Sequence, residues 1–212
     1  MRHYLFIFSS AVSLLSTAQD PIPAIGEWRE HLPYNSAIDV TAGEGVVYCA
    51  TPYSLFAVNT KDNSVNRYSR VTGLQETGIS TIRYDEAGKK LFIAYSNSNI
   101  DIIYRNDIFN IPDIKRDNII GDKTIYQVYP LAGNYYLSTG LGVIVIDSKR
   151  YEVKDSWFIG NGGNQVKVSG FAADGGFYYA ATAEGLKKIS VNTPDPANHA
   201  NWQLVSGSNG LT

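Results

Sequence analysis

A chain of 212 residues with one cysteine, Cys49, can form no disulfide within itself, so its stability must come from packing and hydrogen bonds. Histidine is also scarce. The three present, His3, His31 and His199, lie far apart and show no metal-ligand spacing. Charged residues make up 18%, below the usual quarter, and nearly cancel to a net −2 at pH 7, which removes the electrostatic case for a nucleic-acid partner. Past the first fifteen residues no apolar run approaches the roughly 20 residues a membrane-spanning helix needs. Helical periodicity, heptads and low-complexity linkers are missing too. What the chain has in quantity is tyrosine, 15 residues, and glycine, 19, the composition of a twisted antiparallel β protein with tight turns.

The start of the chain reads as a targeting segment rather than as fold. Arg2 and His3 precede an apolar stretch from Tyr4 to Leu15, and Ser16-Thr17-Ala18 supplies the small residues of a cleavage site. Residues 1–18 are therefore expected to be a signal peptide, leaving Gln19 as the mature N-terminus. Residues 19–25, with Pro21 and Pro23, are expected to form an extended leader. Cys49 lies well beyond Gln19, so it is not placed for lipid attachment at a mature N-terminus. The mature chain is expected to be exported, with no transmembrane segment.

A self-similar unit then recurs at intervals of 44, 44 and 43 residues. Tyr48-Cys49-Ala50-Thr51 corresponds to Phe92-Ile93-Ala94-Tyr95, to Tyr136-Leu137-Ser138-Thr139 and to Tyr179-Ala180-Ala181-Thr182. Each is followed by a short turn and a new apolar run. A strand-turn-strand unit with a period in the low forties marks a β-propeller blade. Residues 26–212 are accordingly expected to be an all-β, partial β-propeller of about four four-stranded blades belonging to a larger ring. In the first unit, strands are expected at Ala37 to Thr41, Val46 to Thr51, Ser54 to Asn59 and Val65 to Tyr68. The second should run Ile79 to Tyr84, Leu91 to Tyr95 and Ile100 to Tyr104. The third should run Ile125 to Leu131, Tyr135 to Thr139 and Val143 to Asp147, and the fourth Val168 to Ala173, Phe177 to Thr182 and Leu186 to Val191. Trp28, Tyr68, Ile114, Trp157 and Trp202 form a looser repeat that marks outer strands. The surplus member, Trp28, assigns Gly26 to Leu32 as a strand that seals the ring. Gly210-Leu211-Thr212 resembles Gly73-Leu74-Gln75, so the chain is expected to end where a fifth unit begins.

Candidate chemistry is thin. The counterparts of Cys49 are Ile93, Leu137 and Ala180, so it reads as a small buried hydrophobe rather than a nucleophile. Gly160-Asn161-Gly162-Gly163-Asn164 and Gly140-Leu141-Gly142 resemble phosphate cradles only superficially, because no amphipathic helix follows either. Turn chemistry explains them better. Asp39, Asp85, Asp101, Asp147 and Asp174 sit near strand ends, where two could converge as a glycosidase pair or simply serve turns. Lys115, Arg116 and Lys123 form a modest basic cluster that could meet an anionic sugar or lipid headgroup, although a solvated loop face is the simpler reading. Tyr34, Tyr53, Tyr129 and Tyr151 are candidates for stacking on carbohydrate or for protein contact, against the plainer role of filling the layers between blades. No catalytic residue, cofactor or metal is expected.

Several segments together carry a more specific likeness. They are Trp28-Arg29-Glu30-His31-Leu32-Pro33-Tyr34-Asn35, Val47-Tyr48-Cys49-Ala50-Thr51, Tyr95-Ser96-Asn97-Ser98-Asn99-Ile100-Asp101, Asn110-Ile111-Pro112-Asp113-Ile114-Lys115 and Gly121-Asp122-Lys123. With them the chain resembles, over about residues 24–212, the N-terminal β-propeller of the PorZ-like proteins of the Bacteroidota type IX secretion system. The general blade pattern is shared with sensor propellers of hybrid two-component regulators. The resemblance implies a longer parent with two propellers and a C-terminal β-sandwich. It also implies a non-catalytic, outer-membrane-associated role in a cell-surface attachment complex, with a sortase-like protease and an outer-membrane barrel as partners and anionic lipopolysaccharide as the ligand delivered. The family offers no site residue to carry over. The alternative is an extracytoplasmic, glycan-sensing propeller of a two-component regulator.

Overall fold

A computed structural model of the chain describes residues 31–205. Sixteen strands form four antiparallel four-stranded sheets, each a simple meander. Blade 1 comprises β1 (Asp39–Gly43), β2 (Val46–Ala50), β3 (Leu55–Asn59) and β4 (Val65–Tyr68). Blade 2 comprises β5 (Ile79–Asp85), β6 (Lys90–Tyr95), β7 (Ile100–Tyr104) and β8 (Asp107–Ile111). Blade 3 comprises β9 (Ile125–Leu131), β10 (Asn134–Thr139), β11 (Val143–Asp147) and β12 (Glu152–Trp157). Blade 4 comprises β13 (Val168–Asp174), β14 (Phe177–Thr182), β15 (Gly185–Ser190) and the two-residue β16 (Gln203–Leu204).

Turn chemistry sets these meanders. The first hairpins of blades 1, 3 and 4 close through Glu44-Gly45, Ala132-Gly133 and Gly175-Gly176, each with positive φ at both residues. That backbone twist matches the twist of the flanking strands. Blade 2 uses a longer turn, in which the Asp85 carboxylate accepts from the backbone N–H of Ala87 and Gly88 at 3.1 Å each.

The sheets fan about an axis. The inner strands β1, β5, β9 and β13 touch in that order, and one apolar layer fills each gap between blades. Leu55, Ile82, Leu91, Ile93 and Tyr95 fill the layer between blades 1 and 2. Phe92, Ile102, Tyr135, Leu137 and Ile144 fill that between blades 2 and 3. Tyr136, Val145, Trp157, Phe171 and Ile189 fill that between blades 3 and 4. Alternate residues of β6 and β10 face opposite neighbours, so both sides of blades 2 and 3 are buried, as a wedge architecture requires. Each fully buried large side chain contributes about 1.5–3 kcal/mol. Polar ties reinforce the layers. The Asp39 carboxylate accepts from the Thr81 hydroxyl at 2.7 Å and the Ile82 N–H at 2.9 Å, and Gln127 Oε1 accepts from the Phe171 N–H at 2.6 Å.

The all-β propeller reading holds, and most expected strands fall within two residues of those found. The outer-strand reading of Ile114 is corrected. The outer strand of blade 2 is β8, and Ile114 lies just beyond it on a four-residue helix, α1 (Asp113–Arg116), from which it reaches the core between blades 2 and 3. The expected signal peptide, leader and C-terminal match fall outside the described residues. So does most of the sealing strand, of which His31 and Leu32 are described and belong to no strand. Among the described residues no helix is long and apolar enough to cross a membrane.

Candidate functional site

The recurring Thr explains itself first. Thr139 and Thr182 end the second strand of their blades and Thr51 directly follows it, and each donates its hydroxyl to the carbonyl three residues on, at 2.9, 2.7 and 3.1 Å. Each hydroxyl also accepts backbone N–H groups of the same turn. Blade 2 places Tyr95 there instead, and its phenol donates to Asp101 Oδ2 at 2.6 Å.

Asp101 belongs to a second recurring feature. In strand register Phe56, Asp101, Ile144 and Lys187 are equivalent, lying opposite Cys49, Ile93, Leu137 and Ala180. In blades 2 and 4 this position reaches back to the connector that leads into its own blade. Asp101 is wholly buried and accepts from the Gln75 N–H at 2.8 Å, the Tyr95 hydroxyl at 2.6 Å and Asn110 Nδ2 at 2.9 Å. Asn110 also bonds Asn99, and Asn99 donates to Glu76, the partner of Lys115. Burial, followed by the nearby Asp101 charge, pushes the Tyr95 phenol far above its ordinary value. Lys187, also buried, donates at 2.7 Å to the Ile159 carbonyl and at 2.6 Å to Glu184 Oε2. Both Glu184 oxygens accept from the Asn161 N–H at 3.1 Å, so the 160–164 loop is pinned to blade 4. Lys187, and then the Asn161 N–H, hold the Glu184 carboxyl below its ordinary value. Sequence reasoning missed both networks. The signal was a charge at a register where other units carry an apolar residue.

The remaining candidates resolve individually. Cys49 is half-buried rather than buried. Its counterparts pack toward the preceding blade, and on that side of blade 1 the described contact is Tyr34, edge-on to Phe56 at 5.9 Å. Burial, with a smaller contribution from Asp39, raises the Cys49 thiol above its ordinary value. Asp85 caps its own turn and accepts from the Tyr135 hydroxyl across the blade gap at 3.1 Å. Asp147 caps Lys149 and Arg150, and Asp174 is exposed at a hairpin. Asp85 and Asp147 thus serve turns and a blade contact, and no hydrogen bond joins one of these carboxylates to another. Among the described residues no three His, Cys, Asp or Glu side chains converge as metal ligands. Gly140 and Gly142 are required by close approach. A Cβ on Gly142 would lie 2.2 Å from the Trp157 carbonyl oxygen, and its φ is +148°. Of the basic cluster, Lys115 pairs with Glu76 and Lys123 donates to the Asp117 carbonyl. Tyr129 and Tyr151 pack on Phe171 and Phe109, leaving Tyr53 as the one exposed tyrosine of the four candidates.

Two clefts remain. A polar one of about 360 Å³ lies where β1, β5 and β9 meet the axis, beside Arg83, Tyr126 and Gln127. A larger one, about 650 Å³, opens between the turns of blades 2 and 3, beside Lys90, Tyr104, Leu131 and Lys149.

Radial blades, two of them tied by a buried charge to the connector that leads into them, define a β-propeller scaffold. The chain matches the family described as the N-terminal β-propeller domain of PorZ of the type IX secretion system, over residues 47–203, and belongs to it. No curated protein sequence matches the chain. Among solved structures, PorZ of Porphyromonas gingivalis, a bacterial surface component of that system, aligns with 23% identity and a TM-score of 0.76. The alignment covers 85% of this chain and 24% of that one. The extracellular domain of a hybrid two-component system of B. thetaiotaomicron aligns with 12% identity and a TM-score of 0.64, covering 84% of this chain and 24% of that one. AztD of Citrobacter koseri aligns with 12% identity and a TM-score of 0.54, covering 74% and 44%. At these identities the likenesses define the fold, and the chain spans about a quarter of the length of the first two.

Proposed function

We propose that this chain serves, within a longer protein, as a non-catalytic binding module of the type IX secretion system. It acts at the cell surface, associated with the outer membrane. Membership of the PorZ N-terminal propeller family carries this reading. The commitment of Asp39, Asp85, Asp101 and Asp147 to turns and blade contacts agrees with a scaffold role. The parent protein works in the attachment complex beside a sortase-like protease and an outer-membrane barrel, and delivers anionic lipopolysaccharide to the protease. Residues 1–18 are its export signal, so the mature protein starts at Gln19, which the intact mass of the exported protein checks.

Deleting the gene in the native host tests this. Cargo carrying a C-terminal sorting domain should accumulate in the periplasm without lipopolysaccharide attached, and normal secretion by the deletion strain overturns the proposal. The likeness to the two-component extracellular domain favours a second reading, a glycan sensor. It predicts intact secretion with loss of glycan-induced transcription.

A further inference from the structure

The cleft between blades 2 and 3 has the size and lining of a small-ligand site. Its volume, about 650 Å³, lies within the range such sites occupy. Pro130, Leu131 and Tyr104 give it an apolar wall, of the kind the C–H face of a sugar ring packs against. Two lysines, Lys90 and Lys149, line it, and a third, Lys154, reaches its rim residue Asn134. Lys90 Nζ is held by the Ser148 carbonyl at 2.6 Å and lies 4.7 Å from the Tyr151 ring centroid and 5.4 Å from that of Tyr104. Lys154 donates to Asn134 Oδ1 on the rim at 3.3 Å. Lys149 lines the cleft and has no carboxylate partner among the described residues. Asp85 in the lining and Asp147 and Glu152 nearby are already engaged. Asp85 accepts from two turn amides and from Tyr135, and Arg150 pairs with both Asp147 and Glu152. The two walls belong to blades packed over one continuous core, which fixes the shape of the cleft.

We propose that this cleft binds an acidic saccharide, the ring lying on Leu131 and Tyr104 and the carboxylate or phosphate meeting Lys149 and Lys154. For the biological source of the sugar this rests on the glycolipid reading above. The test is a titration of the full-length protein with digalacturonate, lactose and inorganic phosphate, in wild type and in a Lys149→Glu, Lys154→Glu double variant. Both lysines are exposed, so the variant should melt at the wild-type temperature. The proposal expects saturable digalacturonate binding, at least about tenfold weaker in the variant, the size of one lost charge-assisted hydrogen bond. Lactose should bind more weakly, and phosphate should not compete fully. Unchanged binding in the variant, lactose binding as well as the acid, or full displacement by phosphate each overturn the cleft assignment. Capture of anionic lipopolysaccharide is measured alongside. If it persists while digalacturonate fails to bind, the cleft falls and the glycolipid reading stands. If neither binds, both fall.

Discussion

A carboxylate buried with no cation against it survives only where donors surround it, and Asp101 has three. Replacing it by alanine leaves the Tyr95 hydroxyl, the Gln75 N–H and the Asn110 amide facing a void. Asp101→Ala should lower unfolding free energy by about 3 kcal/mol, the sum of partners only partly rescued by water. Urea denaturation measures this, and a loss under about 1 kcal/mol would mean that the network is ornamental. Glu184 makes a prediction in pH. Lys187 holds its carboxyl below the ordinary 4.5, so the folded state favours the ionised form. Such a group stabilises fully above its unfolded-state value, and that contribution fades as pH falls through the lower folded value. Glu44, Glu76, Asp122 and Asp147 are depressed as well, so the whole protein should weaken in acid. Comparison with Glu184→Gln isolates the one pair. Between neutral pH and about pH 4 the variant should lose less stability than wild type, and equal losses would rule the pair out as a contributor.

Within a blade, glycine positions divide into those that need the residue and those that merely tolerate it. Gly142 has φ +148° and the Trp157 carbonyl against it, whereas Gly175 has φ +55° with nothing within 4 Å of a built Cβ. Gly142→Ala should therefore cost about 3 kcal/mol or more, and Gly175→Ala about 1. Calorimetric melting of the two variants decides, and equal shifts would contradict the close approach. Strands were legible in sequence wherever one face is apolar and the ends carry turn residues. Val65–Tyr68, Ile100–Tyr104, Ile125–Leu131, Val143–Asp147 and Phe177–Thr182 fall where the pattern places them. The outer strand of blade 2 was not legible. Asp107, Phe109 and Asn110 are exposed, so their alternation carries little contrast, and the conspicuous apolar residue nearby, Ile114, belongs to a helical turn. The Asp101 and Lys187 networks were hidden for a different reason. Asp near a strand end reads as turn chemistry unless the repeats are compared register by register.

At the scale of the whole molecule, the 44-residue period alone determined the radial architecture, because a four-stranded wedge buries its flanks only against neighbouring wedges. Blades 2 and 3 have both flanks covered. The sides of blade 1 and blade 4 turned away from them carry Val40, Phe56 and Val65, and Phe177, Tyr179 and Leu186, of which Val40 is 63% exposed, Val65 54% and Leu186 38%. A polypeptide of residues 19–212 expressed alone should therefore self-associate or precipitate, as seen by light scattering after size exclusion. A sharply melting monomer would contradict this. The backward reach of Asp101 and Lys187 has a temporal corollary. Each latch joins a blade to chain already synthesised, so a blade can lock without waiting for the segment after it. A polypeptide threading out of a translocation pore could then settle one wedge at a time behind its leading end, in the direction of its own emergence, with the newest unit always the loosest.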